Sequence, residues 1–349
     1  MKEKESSQRI RSQRDSLAEE IVARQYARRS DQWQPHGEEG RRKSVRDAGY
    51  HLIYLAEALA AQDVTLFNAY LNWVKVLFAG LGFSDEVIFT TLACTREVLD
   101  ERLPEGERDI ALAYIDAGVE ALKRAPSQED SHIEPDSPLH DLAEDYLNAL
   151  LRGDRHRASE IVMSAVEAGT PIKQIYLDVF QPVQREIGRL WQTNQISVAQ
   201  EHFCTAATQL IMSQLYPRIF SGERVGHSLV ATCVGGELHE IGVCMVADFF
   251  EMEGWDTYYL GANTPTESVI STVEQREPDI LAISTTITMH VSEVASLIEK
   301  VRANGAGSDV NILVGGYPFN TSSQLWRQVG ADGYAANAQE ALQVAENIL

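Results

Sequence analysis

Cysteine is scarce: four in 349 residues, none in a Cys-x-x-Cys pair, so neither a zinc framework nor a disulfide scaffold organises this chain. Cys94, Cys204, Cys233 and Cys244 read as reduced, mostly buried thiols. Long apolar runs are missing too. Stretches such as "DILAISTTITM" are interrupted by polar residues well before the roughly 18 that a membrane helix needs. The opening "MKEKESSQRIRSQRD" has no apolar segment followed by a cleavage site, so a cytoplasmic location is expected. Positive charge is in short supply, 30 Lys and Arg against 51 Asp and Glu, for a net charge of −21. An acidic surface repels phosphate backbones, which argues against direct nucleic-acid binding. Residues 1–46 are the exception, with 12 basic against 8 acidic side chains, and residues 1–44 read as a polar, partly disordered arm.

What is present is enough apolar residue, 44%, for two or three ordinary cores. From 45 to 125, leucine, alanine and aromatic residues recur at helical spacing, predicting an N-terminal domain of four helices. Ser84 is placed to cap the third, and Gly80 and Gly82 to stop the second. A linker over 126–137 follows, rich in proline and polar residues. Residues 138–220 predict a four-helix-bundle cap, with Gly153 and Gly169 ending helices, Pro171 starting one, and Ser197 with Gln200 forming a capping box.

Over 226–349 the pattern changes to short β-rich runs, "SLVATCV", "DTYYLG", "DILAIS", "VNILVGG" and "DGYAA". Helices are expected between and after them over 239–253, 265–276, 288–303, 321–329 and 337–348, with Thr264 as a cap. Such alternation predicts a doubly wound, five-stranded parallel sheet of Rossmann-like type, so the fold class is α/β plus all-α. Ligands of such sheets sit beyond the carboxyl ends of the strands.

One of those ends reads "GGELHEIGV", residues 235–243, and offers an imidazole where a phosphate cradle would use backbone N–H groups and a lysine. A lone histidine at a strand–helix junction is more often structural than a ligand. Its neighbours change the balance: Glu237 lies two positions before His239 and Gly242 three after, 41 residues separate Gly242 from Ser284, and 28 separate Thr286 from the pair Gly315 and Gly316. Acid-x-His-x-x-Gly, Ser-x-Leu and Gly-Gly at these separations resemble the fingerprint of cobalamin-binding domains that hold the cofactor base-off with histidine on cobalt. Glu237 stands for the usual Asp and Thr286 for the usual Leu. The resemblance covers about residues 138–349. It implies that His239 is the lower axial cobalt ligand, with Glu237 behind it. It also implies that Leu238, Glu240, Ile241 and Gly242 line the loop under the corrin, and that Ser284, Thr286, Gly315 and Gly316 flank the nucleotide tail.

A second stretch, "WQTNQISVAQEHF", separates Trp191 from the pair Glu201–His202 by nine residues. By itself this is a core tryptophan beside a surface charged pair. Ahead of a cobalamin domain it is similar to the light-sensing adenosylcobalamin proteins. By that resemblance Trp191 covers the adenosyl group, Glu201 hydrogen-bonds it, and His202 replaces it on cobalt after photolysis. The function so implied is not enzymatic: a photoreceptor whose illumination changes domain arrangement or homo-oligomeric state. The helical segment over 45–125 looks like the photocobilin subgroup, which adds biliverdin. Tyr54, Phe67, Tyr70, Trp73 and Phe78 could line a bilin slot, although such spacing also suits plain core. The main alternative is a corrinoid methyl carrier of a methyltransferase system, which shares cap, sheet and lower histidine.

Overall fold

The computed structural model describes residues 2–29, 37–220, 223–305 and 309–349. Two compact units emerge, Met1–Ser127 with Ile287–Ser292 and Tyr317–Val329, and Gln128–Thr286 with Glu293–Gly316 and Gly330–Leu349.

In the first unit the polar arm expected over 1–44 is helical in α1 (Lys2–Ser12) and α2 (Arg14–Arg28), while residues 1 and 30–36 lie outside the described residues. The correction has two physical causes. Ile10, Leu17, Ile21 and Val22 form a narrow apolar stripe that is fully buried. The basic residues that suggested a solvated segment are also spent on acids of the same unit. Arg9 pairs with Glu107 at 2.6 Å, Arg11 with Glu57 at 2.6 Å and Arg28 with Glu97 at 2.8 Å. Composition alone hides this, because the carboxylates lie 46 or more positions away in the sequence. The helices α3 (Gly37–Ala60), α4 (Val64–Gly80), α5 (Asp85–Arg102) and α6 (Glu107–Arg124) follow. Asp63 caps α4 by accepting the Thr65 N–H at 2.9 Å, while Ser84 occupies the cap position of α5 without making a side-chain cap bond. Gly82 ends the α4 region at φ +79°, a conformation glycine adopts freely. Lys75 is buried, its charge met by the carbonyls of Leu122 and Ala125 at 3.1 and 2.8 Å and by Asp85 at 3.3 Å.

The second unit begins with the helical cap: α7 (His140–Leu151), α8 (Arg155–Glu167), α9 (Ile172–Ile175), α10 (Gln181–Gln192) and α11 (Val198–Ile219). A π-helical turn, Tyr176–Phe180, joins α9 to α10. The Ser197–Gln200 capping box forms as expected.

Strands β1 (Ser228–Cys233), β2 (Asp256–Gly261), β3 (Ile280–Ser284), β4 (Asn311–Gly315) and β5 (Gly333–Ala335) make a parallel sheet in the order β2-β1-β3-β4-β5. The intervening and following helices are α12 (Ile241–Met252), α13 (Thr266–Arg276), α14 (Val291–Ala303), α15 (Tyr317–Thr321), α16 (Leu325–Gln328) and α17 (Ala338–Ile348). Two local expectations are corrected. Pro265, extended at ψ 138°, takes the cap position of α13 in place of Thr264. The single helix expected over 321–329 is two short ones, the first already under way at Tyr317.

Register fixes the functional edge: Cys233 pairs with Ser284, Ser284 with Gly315, and Gly315 with Ala335. The carboxyl ends of β1, β3, β4 and β5 are therefore level, and the loops leaving them meet on one edge. Cap and sheet share one core, in which the Tyr176 ring of the cap lies 6.0 Å from the Phe249 ring of α12.

Candidate cobalamin site

The loop between β1 and α12 turns at Gly236, φ +83°, whose N–H donates to Asn263 Oδ1 at 2.7 Å. This turn drives Glu237 inward, where it is completely buried. A buried carboxylate is costly unless its oxygens are hydrogen-bonded, and here four donors converge on it. The His239 Nδ1 lies 2.6 Å and the His239 backbone N–H 3.0 Å from Oε1. The Thr285 hydroxyl donates to Oε2 at 2.9 Å and the Thr286 backbone N–H at 2.8 Å.

The consequence for His239 is chemical. With Nδ1–H held by a carboxylate, the neutral ring keeps its lone pair on Nε2, and the partner raises the basicity of that nitrogen. The imidazole pKa is raised, first by the hydrogen bond to Glu237, against burial, which lowers it; the charges of Glu237 and Glu201 add to the rise. The His239 side chain remains 55% exposed. The neighbouring Leu238 is 71% exposed, an apolar residue left on the surface beside a preorganised donor.

The loop beside His239 is open at two glycines. Gly242 has no protein atom within 4 Å of where a Cβ would stand, and at Gly235 only the Thr264 carbonyl comes as near as 4.0 Å. Neither the φ of Gly242 nor its packing requires glycine, which leaves room beside His239. The donor set agrees, because a corrin supplies four equatorial nitrogens and asks the protein for a single axial one. Gly316 is different: its φ is +103° and a Cβ would meet the Thr285 carbonyl at 2.0 Å, so the fold itself demands glycine there. Gly315 is also confined, with the Ala335 carbonyl 3.1 Å from a would-be Cβ.

Of the other residues expected at the site, Ser284 ends β3 between Cys233 and Gly315. Thr286 contributes its backbone N–H to the Glu237 clasp. Glu240 accepts the Tyr259 hydroxyl at 2.9 Å and the Ala262 N–H at 3.0 Å. Ile241 begins α12. In the cap, Trp191 lies near the end of α10 and is 37% exposed. Glu201 accepts the Thr205 hydroxyl at 2.9 Å and pairs with His202, whose ring is 75% exposed. The Glu201 charge is a minor contributor to the raised pKa of His239.

Sequence reasoning passed over Thr285, which is fully buried. The signal was the longer acid: Glu in place of Asp carries a second oxygen further into the sheet edge, where a hydroxyl must meet it. A cavity of about 450 Å³ lined by Ser228, Asp256, Tyr258 and Arg276 opens at the amino ends of β1 and β2, away from this chemistry.

In the N-terminal unit the proposed bilin residues divide. Phe67 is core, packed against Gly118, and Tyr70 is nearly buried, stacked on Tyr54 at 3.6 Å and 2.8 Å from His51 Nδ1. Trp73 is partly exposed, and Phe78 contacts Phe83 with ring centroids 5.6 Å apart. One turn apart on α4, the Oδ1 atoms of Asn68 and Asn72 are buried with no hydrogen-bond partner. Orphaned acceptors of that kind suit a ligand rich in N–H donors.

Residues 227–343 match the B12 binding domain family, residues 142–216 a second B12 binding domain family, and residues 2–122 the family described as phycobilisome protein. The chain therefore joins a helical cap and Rossmann-like domain of the B12-binding type to a phycobilisome-like domain. Among curated relatives, the dimethylamine corrinoid protein of Methanosarcina barkeri is 30% identical over 139 residues, 40% of this chain and 63% of the relative. This chain thus spans less than two thirds of that relative's length. A corrinoid protein of Desulfitobacterium hafniense is 25% identical over 60% of this chain and 97% of its own length. The structure of the Methanosarcina barkeri monomethylamine corrinoid protein superposes with a TM-score of 0.54 at 21% identity, over 60% of this chain and all of that one, which supports the fold.

Proposed function

We propose that this chain is a cobalamin-dependent photoreceptor that binds adenosylcobalamin between the helical cap and the Rossmann-like domain, with biliverdin as a second chromophore on the N-terminal unit. When bound, adenosylcobalamin supplies a Co–C bond that visible light breaks. The chain's own residues do the rest. His239 presents Nε2, Glu237 fixes its tautomer, and Thr285 with the Thr286 N–H holds Glu237 in place. Trp191 and Glu201 would cover the upper face, and His202, paired with Glu201, would stand beside it. Asn68 and Asn72 would accept pyrrole N–H groups of a bilin.

The observation that carries this reading is the company the B12-binding module keeps, a phycobilisome-like domain on the same chain. Loading the protein with adenosylcobalamin in the dark and illuminating it with green light tests the reading. A spectral shift with a change in elution volume is expected, and no change in either overturns it. A far-red band after co-expression with biliverdin tests the second chromophore. The corrinoid methyl carrier remains the second reading, favoured by the names of the curated relatives. It predicts methylcobalamin demethylation with a partner methyltransferase and no dependence on light.

A further inference from the structure

Helix α12 begins two residues after His239, and its cap-facing side carries a polar row at one-turn spacing: Glu240, Cys244 and Asp248. Each meets a cap residue. Gln209 Nε2 donates to Glu240 Oε1 at 2.7 Å, the Tyr216 hydroxyl lies beside Cys244, and the Tyr176 hydroxyl donates to Asp248 Oδ2 at 2.7 Å. Just past the end of α12, Lys173 pairs with Glu253.

The two ends of this row differ in what breaking them costs. Tyr176 is fully buried and Asp248 is 6% exposed, so parting them leaves a carboxylate without its donor in a dry place, which is expensive. Tyr176 also opens the π-helical turn, a device that re-aims a side chain out of the regular helical ladder. At the other end, Glu240 keeps the Tyr259 hydroxyl and the Ala262 N–H when Gln209 leaves, so that bond breaks without orphaning a charge.

We propose that α12 is a hinge plate for the cap: Tyr176–Asp248 is its fixed pivot, and Gln209–Glu240 is a releasable latch beside the axial histidine. The inference rests on the photoreceptor reading for its purpose, not for its geometry. Glu201 lies eight residues before Gln209 on α11, about 12 Å along the axis at 1.5 Å per residue. Releasing the latch therefore frees the first half of α11, which carries Glu201 and His202, while the pivot keeps the cap attached.

Hydrogen–deuterium exchange on the full chain, in the dark and without cobalamin, tests this apart from any light response. Gln209→Leu should raise exchange about tenfold in the first half of α11, the size expected for one hydrogen bond to a carboxylate. Gln209→Lys, which restores a donor to Glu240, should return it to the wild-type rate. Tyr176→Phe, which deletes only the hydroxyl, should raise exchange across α8 to α10 as well. Equal behaviour of the Leu and Lys variants would overturn the latch. Exchange confined to α11 in Tyr176→Phe would overturn the pivot. A chain that passes these tests yet ignores light would refute the photoreceptor and leave the hinge standing.

Discussion

Replacing Asp248 by Asn should make the second unit more stable, and increasingly so as pH rises. Burial is the first cause that pushes the Asp248 carboxyl up to about 7, with the charge of Glu251 adding to it and the Tyr176 hydrogen bond opposing it. A carboxyl whose folded pKa exceeds its unfolded value binds its proton more tightly in the native state. Its contribution is therefore fully present below the unfolded pKa and is lost as pH climbs through the folded one. From an ordinary 3.8 to about 7 the shift corresponds to about 4 kcal/mol, of which some 2–3 fall between about pH 5 and about pH 8. Asparagine keeps an oxygen for the Tyr176 hydroxyl and does not titrate. Scanning calorimetry on both proteins reads the effect, taking the transition that moves up when cobalamin is added as that of this unit. For a unit of this size, the gap between variant and wild type should widen by roughly 5–10 °C over that range. Groups such as His239 titrate in both proteins and cancel in the difference. A gap that stays constant or narrows with rising pH would refute the argument.

Other outcomes follow from the same geometry. Thr285→Val removes one of the four donors to Glu237 while keeping the shape of the side chain, and should weaken cobalamin binding by about tenfold in a calorimetric titration. Cobalamin affinity should fall on acidification, because a protonated imidazole cannot ligate. The hydrogen bond to Glu237 raises the His239 pKa, so the loss should begin above the ordinary histidine range and move to lower pH in Glu237→Gln. Leu17→Ala should cost the N-terminal unit about 2–5 kcal/mol in urea unfolding, whereas a disordered arm would register nothing.

The sheet and cap were legible in the sequence because period and punctuation agree there: Gly153 and Gly169 do end helices at positive φ, and β2 occupies the "DTYYLG" run. The cluster around His239 was legible in part. Spacing brought His239 and Glu237 forward, but sequence separation says nothing about which atom a longer carboxylate will reach, so Thr285 went unseen. The first 28 residues were misread for a related reason. Composition counts charges without their partners, and the acids that meet Arg9 and Arg28 sit on α6 and α5. The π-helical turn left no sequence signal of its own, since Tyr176–Phe180 keeps an ordinary helical pattern.

Electron paramagnetic resonance of the cob(II)alamin-loaded protein, compared between wild type and His239→Ala, addresses the core of the account. Each axial line should split into three from one coordinated imidazole nitrogen in the wild type, and that splitting should vanish in the variant. Unsplit lines in the wild type, or splitting that survives the loss of His239, would contradict it.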